Sequence, residues 1–243
     1  MTSLRRTGAT AARVLQQLRH DPRTVALLLL VPCVLLALLR GVFAGRSATF
    51  QHAGPVLLAV FPFTTLFVVT SVAMLRERTS GTLERLLALP IAKGELLGGY
   101  ALAFGTVGLL QVLLAAALTL GPLGLHTTLN AGALIGVALA DALLGMALGL
   151  LVSAFATTEF QAVQFLPAVV LPQLLLCGLF APRASMTTGL RWLSDVLPLS
   201  YAVDALTRPH GWDSTATLDL LVVAGSAATA IALAAATLRR RTS

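Results

Sequence analysis

Six apolar runs, each long enough to cross a bilayer as a helix, limit what this 243-residue chain can fold into. They lie at about 24–44, 55–75, 96–120, 129–155, 161–181 and 218–238. Roughly 20 apolar residues cover the hydrocarbon core as a helix, and a helix satisfies its own backbone polar groups there. Charged residues make up 11% of the chain, whereas soluble domains carry about 25%. That composition excludes a soluble enzyme, and a disordered chain needs the opposite balance. The expectation is an all-α membrane protein with six transmembrane helices and little chain left for a separate soluble domain. Pro32, Pro62, Pro167 and Pro172 fall inside spans and predict kinked helices in a packed bundle.

Residues 1–23 form no span. Leu4, Ala11, Leu15 and Leu18 recur at helical spacing beside Arg5, Arg6, Arg13, Arg19 and Arg23, the pattern of a basic amphipathic helix lying in the membrane interface. The segment is long for the basic region of a signal peptide, and no small-x-small cleavage site follows. We therefore read 1–23 as a retained interfacial helix leading into a six-helix domain over 24–243. Orientation follows from Lys and Arg in the loops. With six spans, one side holds the five arginines of 1–23, then Arg76, Arg78, Arg85, Lys93, Arg239, Arg240 and Arg241. The other side holds Arg40, Arg46, Arg183, Arg191 and Arg208. The bias places both termini and loop 76–95 on the cytoplasmic side of the cell (inner, or cytoplasmic) membrane.

Several chemistries are missing. Lys93 is the single lysine and lies in PIAKGE, so no phosphate-binding GxxxxGK[ST] loop can be built. HExxH and GxSxG are absent too. His20, His52, His126 and His210 all fall outside the spans, and Cys33 and Cys177 sit in apolar runs without metal spacing. The expectation is no catalytic residue, no metal site and no cofactor on this chain. The net charge of +7 sits at the ends of apolar runs, which a membrane explains and a nucleic-acid partner does not.

Two connections exceed ordinary turns. The first, 76–95, holds Arg76, Glu77, Arg78, Glu84, Arg85, Lys93 and Glu95. Thr79 or Ser80 can cap a short helix starting near Gly81, with Glu84 in its first turns, Leu83, Leu86, Leu87 and Leu89 along one side, and Pro90 ending it. Such a helix offers apolar knobs and charges to a partner groove. The second, 182–217, contains Trp192, Tyr201 and Trp212, aromatics that favour the headgroup level. Within it, 186–207 reads as short interfacial helices broken near Pro198. Inside the spans, Asp141 is the one deeply placed acid, and an intramembrane acid is a functional candidate by default. It could meet a cationic cargo, pair with an Arg at a helix end, or face a dimer seam through Gly136, Gly145 and Gly149. Gln111, Gln161 and Gln164 are weaker polar candidates, and Glu159 lies at a span end.

The stretch RERTSGTLERLLALPIAKGELLGGY resembles the cytoplasmic loop of ABC-2 type transporter permeases. It carries that family's acidic–basic pair (Glu77, Arg78), Gly81-Thr82-Leu83-Glu84, the leucine pair Leu86 and Leu87, Pro90-Ile91, and the Gly94-Glu95-Leu96 step. Further on, GLFAPRASMTTGLRWLSDVLPLSYAVDALTR is similar to the family's external segment, at Gly178, Phe180, Pro182, Met186, Trp192, Leu193, Pro198, Leu199, Tyr201, Ala202 and Asp204. HDPRTVALLLLVP resembles the approach to the first span. The likeness runs through nearly the whole chain in order and is nearest to the drug-efflux subgroup.

The resemblance implies the membrane subunit of an ATP-driven exporter. Such subunits work as homo- or heterodimers with two copies of an ABC ATP-binding subunit, which carries the ATP and Mg. It makes Arg76, Glu77, Arg78, Gly81, Thr82, Leu83, Glu84, Arg85, Leu86, Leu87 and Pro90 the ATPase-coupling element, and 1–23 the connecting helix. Asp141, Gln111 and Gln164 become candidates for the substrate pathway, and Trp192, Pro198, Tyr201 and Asp204 for the external interfacial segment. The alternative expectation is a gradient-driven secondary transporter using Asp141, which would want more intramembrane carboxylates and a repeat between halves.

Overall fold

The computed structural model describes residues 3–88, 91–208 and 211–238, with Leu87 described by its backbone alone. The predicted Pro90 and the basic residues Arg239, Arg240 and Arg241 lie outside the described residues, as do Leu89 and His210. The described chain is almost entirely helical and carries no strand. Six helices are long and apolar enough to cross a membrane: α2 (Pro22–Val42), α3 (Ser47–Thr79), α5 (Lys93–Leu120), α6 (Ala131–Val152), α7 (Glu159–Leu176) and α10 (Ser214–Thr237). Between them lie α1 (Ser3–His20), α4 (Thr82–Ala88), α8 (Thr188–Val196) and α9 (Pro198–Thr207), with one 3-10 turn at Arg183–Ser185.

Local chemistry sets the helix starts. Asp21 caps α2 by accepting from the Thr24 amide at 3.2 Å, and Pro22, which has no amide hydrogen to strand, takes the first helical position. Asn130, Thr158 and Asp213 do the same for α6, α7 and α10. Near the start of α5, Glu95 accepts from the Ala92 amide at 2.9 Å.

The largest departure from expectation is α3. The predicted span is 55–75, but the helix has 33 residues, about 50 Å at 1.5 Å per residue, well beyond a core of roughly 30 Å. After Pro62 no breaker interrupts the chain before Gly81, whose φ of 71° ends the run in the left-handed region that glycine tolerates. The residues expected to open a loop, Arg76, Glu77 and Arg78, are therefore the last turns of a rigid helix. Pro55 and Pro62 lie inside α3, and each leaves the carbonyl four residues earlier without its helical donor.

At the centre, α6 packs on α3, α10 and α5. Its contact with α3 is backbone to backbone. A Cβ at Gly145 would lie 2.2 Å from the Phe63 carbonyl oxygen, and one at Gly149 2.4 Å from that of Phe67. The Thr70 hydroxyl donates across this seam to the Met146 carbonyl at 3.1 Å. Small residues that let helices touch drive association in lipid, where burying apolar side chains gains little. The glycines expected at a dimer seam thus do their work inside one chain, while Gly136 faces open space. Leucines and valines on α2, α5, α7 and α10 are exposed, as lipid-facing residues should be (Leu27, Leu38, Leu110, Leu175 and Leu221 among them).

The segment predicted as short helices broken near Pro198 is α8 and α9, with the break at Leu197. Arg183 holds the pair together. Its guanidinium bridges the Asp195 and Asp204 carboxylates and lies 5.6 Å from the centre of the Tyr201 ring. The Tyr201 hydroxyl donates to the Asp195 carbonyl at 2.7 Å. Burial raises the Asp204 carboxyl above the ordinary carboxylate range, against the pull of Arg183.

Candidate functional site

The chemistry of the chain concentrates at one end of the bundle, where α1, the last turns of α3, α4 and the first turns of α5 meet. The amphipathic α1 packs its Thr10, Ala11 and Val14 face against α5. The fit is close because α5 has Gly98 and Gly99 there: a Cβ at Gly99 would lie 2.4 Å from the Thr10 Cβ. One turn on, Arg13 joins three elements. Its Nη1 donates to Glu77 Oε1 of α3 at 3.0 Å, and its Nη2 to the Tyr100 hydroxyl of α5 at 2.8 Å. Burial would lower the Arg13 pKa, but Tyr100 and Glu77 raise it above its ordinary value, so the cation is secure. Arg6 reaches Glu95 at 3.5 Å.

Two more contacts tie the end of α3 outward. Arg76 makes a two-pronged pair with Glu159 of α7, at 2.7 and 2.9 Å. Both side chains are more than half exposed, so the pair adds about 0–1 kcal/mol and serves mainly to fix geometry. Arg78 donates to the Thr237 hydroxyl of α10 at 3.3 Å. The end of α3 is therefore fastened to α1, α5, α7 and α10.

The predicted coupling residues divide into two groups. Arg76, Glu77 and Arg78 are committed to contacts within the chain. Glu84 and Arg85 of α4 stand exposed, while Leu83 is buried and Leu86 half-buried against the core. Gly81 supplies the turn between α3 and α4, and the Thr82 hydroxyl meets that of Ser80 at 2.9 Å. The result is a short helix, anchored by leucines beneath, that displays charge above. Sequence reasoning counted Arg13 only among the charges of a basic interfacial helix and of the orientation bias, and passed over Tyr100. The Gly98–Gly99 pair facing an amphipathic N-terminal helix was the signal available. Gly99→Leu is expected to lift α1 off α5, read as faster tryptic cleavage after Arg13 and Arg19 with the spans intact.

Away from this end, the predicted pathway residues do not come together. Asp141 is fully buried, and among the described residues neither carboxylate oxygen has a hydrogen-bond partner, so of its three expected roles the pairing with an Arg is not found there. Gln111 is buried as a strut: its amide donates to the Leu28 carbonyl of α2 at 2.8 Å and to the Thr65 hydroxyl of α3 at 2.7 Å. Gln164 is exposed on α7, and Gln161 folds back on Thr157 at the start of that helix. At the opposite end, Trp192 is 73% exposed on α8, and Pro198 starts α9. Tyr201 and Asp204 belong to the Arg183 clasp. Among the described residues no group of three or more His, Cys, Asp or Glu could hold a metal ion.

Comparison with known proteins adds a family to this geometry. Residues 5–208 match the family model described as ABC-2 type transporter. The chain is 27% identical over 163 residues to ABC transporter G family member 20 of Dictyostelium discoideum, a match covering 66% of this chain and 22% of that protein. It is 29% identical over 140 residues to the probable multidrug ABC transporter permease YbhS of Escherichia coli, covering 57% of this chain and 37% of the relative. With the permease YbhR of the same organism it shares 27% over 170 residues, covering 69% and 45% respectively. The chain thus spans less than half the length of the curated relatives it matches.

Proposed function

Because the chain belongs to the ABC-2 type transporter family and is a multi-pass membrane protein with six candidate spans, we propose that it is the permease subunit of an ATP-driven exporter in the cytoplasmic membrane. Two such chains, identical or different, form the pathway. ATP and Mg are held by a separate ABC ATP-binding subunit, two copies per complex, docked on the basic end. That end is the cytoplasmic one, and both termini lie there. The residues 1–23 serve as an interfacial connecting helix to the permease domain of 24–243. The relatives named as multidrug permeases make small amphipathic drugs the first cargo class to test.

One observation carries the reading: α4 is a charged, exposed knob on the end of a helix that continues unbroken through the bundle. The partner subunit pushes on Glu84 and Arg85. Leu83 beneath passes the displacement to the core, and α3, fastened through Glu77 to Arg13 and through Arg76 to Glu159, passes it to α1 and α7. By sequence, Leu87 and Pro90 belong to the same proposed coupling loop, 76–95.

Reversing the exposed charge tests this. Glu84→Arg leaves the buried face of α4 untouched, so the protein is expected at normal level in the membrane. ATP-dependent export should fall at least tenfold. Wild-type export by that variant at matched expression would remove α4 from the coupling path.

A further inference from the structure

At the end of the bundle opposite α4, a cavity of about 160 Å³ opens between the start of α3, the loop joining α5 to α6, and the end of α9. Gln51, early in α3, clamps that loop to the helix. Its side-chain amide donates to the Gly124 carbonyl at 3.0 Å, and its side-chain carbonyl accepts from the His126 amide at 2.6 Å. The clamp brings His126 of the loop and His52, the neighbour of Gln51, to the wall of one cavity. The Thr128 hydroxyl ties the loop to the end of α9 as well, donating to the Arg208 carbonyl at 2.7 Å.

The other polar side chains on that wall are committed. The Thr127 hydroxyl accepts from the Leu129 amide at 3.1 Å, and the Thr207 hydroxyl donates to the Val203 carbonyl at 2.8 Å. The Arg208 guanidinium pairs with Asp213 and Asp219, two carboxylates against one cation. Of the polar side chains lining the cavity, only the imidazoles of His52 and His126 have no hydrogen-bond or ion-pair partner among the described residues. Two free imidazoles on the wall of one small polar cavity are a donor set for a borderline-soft divalent metal ion. Imidazole nitrogen suits zinc, copper and nickel, whereas magnesium prefers oxygen ligands.

We propose that His52 and His126 together bind a zinc-class divalent ion, with water in the remaining positions of a four-coordinate shell. The cavity has room for the ion and its waters, each of which takes about 30 Å³. An ion held there staples α3 to the loop before α6. The two histidines lie far apart in the sequence, so no ligand spacing announces the site; the Gln51 clamp creates it. The proposal goes beyond the permease reading and does not rest on it.

The test uses the full chain with His20 and His210 replaced by alanine and a purification tag free of histidine, in nanodiscs of zwitterionic lipid, with empty nanodiscs as the blank. Equilibrium dialysis against zinc, and separately against magnesium, reads binding; the melting transition reads the staple. One saturable zinc ion per chain is expected, with no saturable magnesium, and zinc should raise the transition by mass action. His52→Ala and His126→Ala should each abolish both the saturable binding and the zinc-dependent rise. The metal-free transition of each variant should match the parent, since neither imidazole has a partner to lose. Absence of saturable zinc, parent affinity in either variant, or equal saturable binding of magnesium would each overturn the proposal.

Discussion

Gly145→Val and Gly149→Val are each expected to abolish stable folding in detergent, lowering the melting transition beyond the range in which the protein survives purification. The clash is with backbone. Phe63 presents its carbonyl oxygen, carbonyl carbon and Cα within 2.9 Å of a Cβ at Gly145, and no rotamer change relieves it. The two helices must part, which strips van der Waals contact from the most buried pair in the bundle, and overpacking of this kind costs about 1–3 kcal/mol or more. The loss is serious because lipid supplies no hydrophobic force to close the gap again. The Thr70 bond to Met146 breaks as well, removing a hydrogen bond that crosses the seam. Gly136→Val on the same helix has open space around it and serves as the control; only its intrinsic helix preference changes. Fluorescence-detected size exclusion after a heating series reads the difference. Equal transitions for Gly136→Val and Gly149→Val would contradict the packing described for α3 and α6.

Asp141→Val has the next largest expected effect, and its two readouts move in opposite directions. A buried polar group with no partner costs about 1–3 kcal/mol of stability. Both oxygens of Asp141 are in that state, so an apolar side chain of similar size should raise the melting transition by several degrees. A residue kept at such a cost, fully buried in the most enclosed span, is expected to act when the bundle rearranges, and export by Asp141→Val should fall severalfold. Higher stability with unchanged export would make Asp141 a tolerated burden. Loss of stability would mean that it finds a partner outside this chain. If export by the wild type followed an ion gradient and not ATP, Asp141 would become the centre of the secondary-transporter reading.

Much of this fold was legible because spans announce themselves by length and apolarity. The six runs, the N-terminal amphipathic helix and the break near Pro198 all reappear in the structure, with boundaries shifted by the caps. What could not be read was direction around a helix axis. Arg76, Glu77 and Arg78 look like loop charges in a linear sequence, yet nothing before Gly81 stops α3, and a helical turn points them at α7, α1 and α10. Arg13 is one of sixteen arginines, and its role follows from Gly98 and Gly99 letting α1 approach α5, a contact between segments more than 80 residues apart. Gln111 reads as a polar group in a pathway; that it also ties α2 to α3 could not be read, because this depends on Leu28 and Thr65 facing it. Gly145 and Gly149 of α6 mark a close helix approach, whereas Gly136 meets open space, and the partner helix, α3 in the same chain, was not in the pattern.

The central claim is that the exposed face of α4 meets an ATP-binding subunit. The most direct test is a single cysteine at position 84, in a chain with Cys33 and Cys177 replaced, crosslinked in native membranes and followed by gentle affinity purification and mass spectrometry. The account predicts a crosslinked protein carrying a P-loop, with the crosslink lost when the cysteine is moved to the opposite end of the bundle, at position 190. Recovery of the intact permease with no P-loop protein at position 84, under conditions that hold a known ABC transporter together, would contradict it.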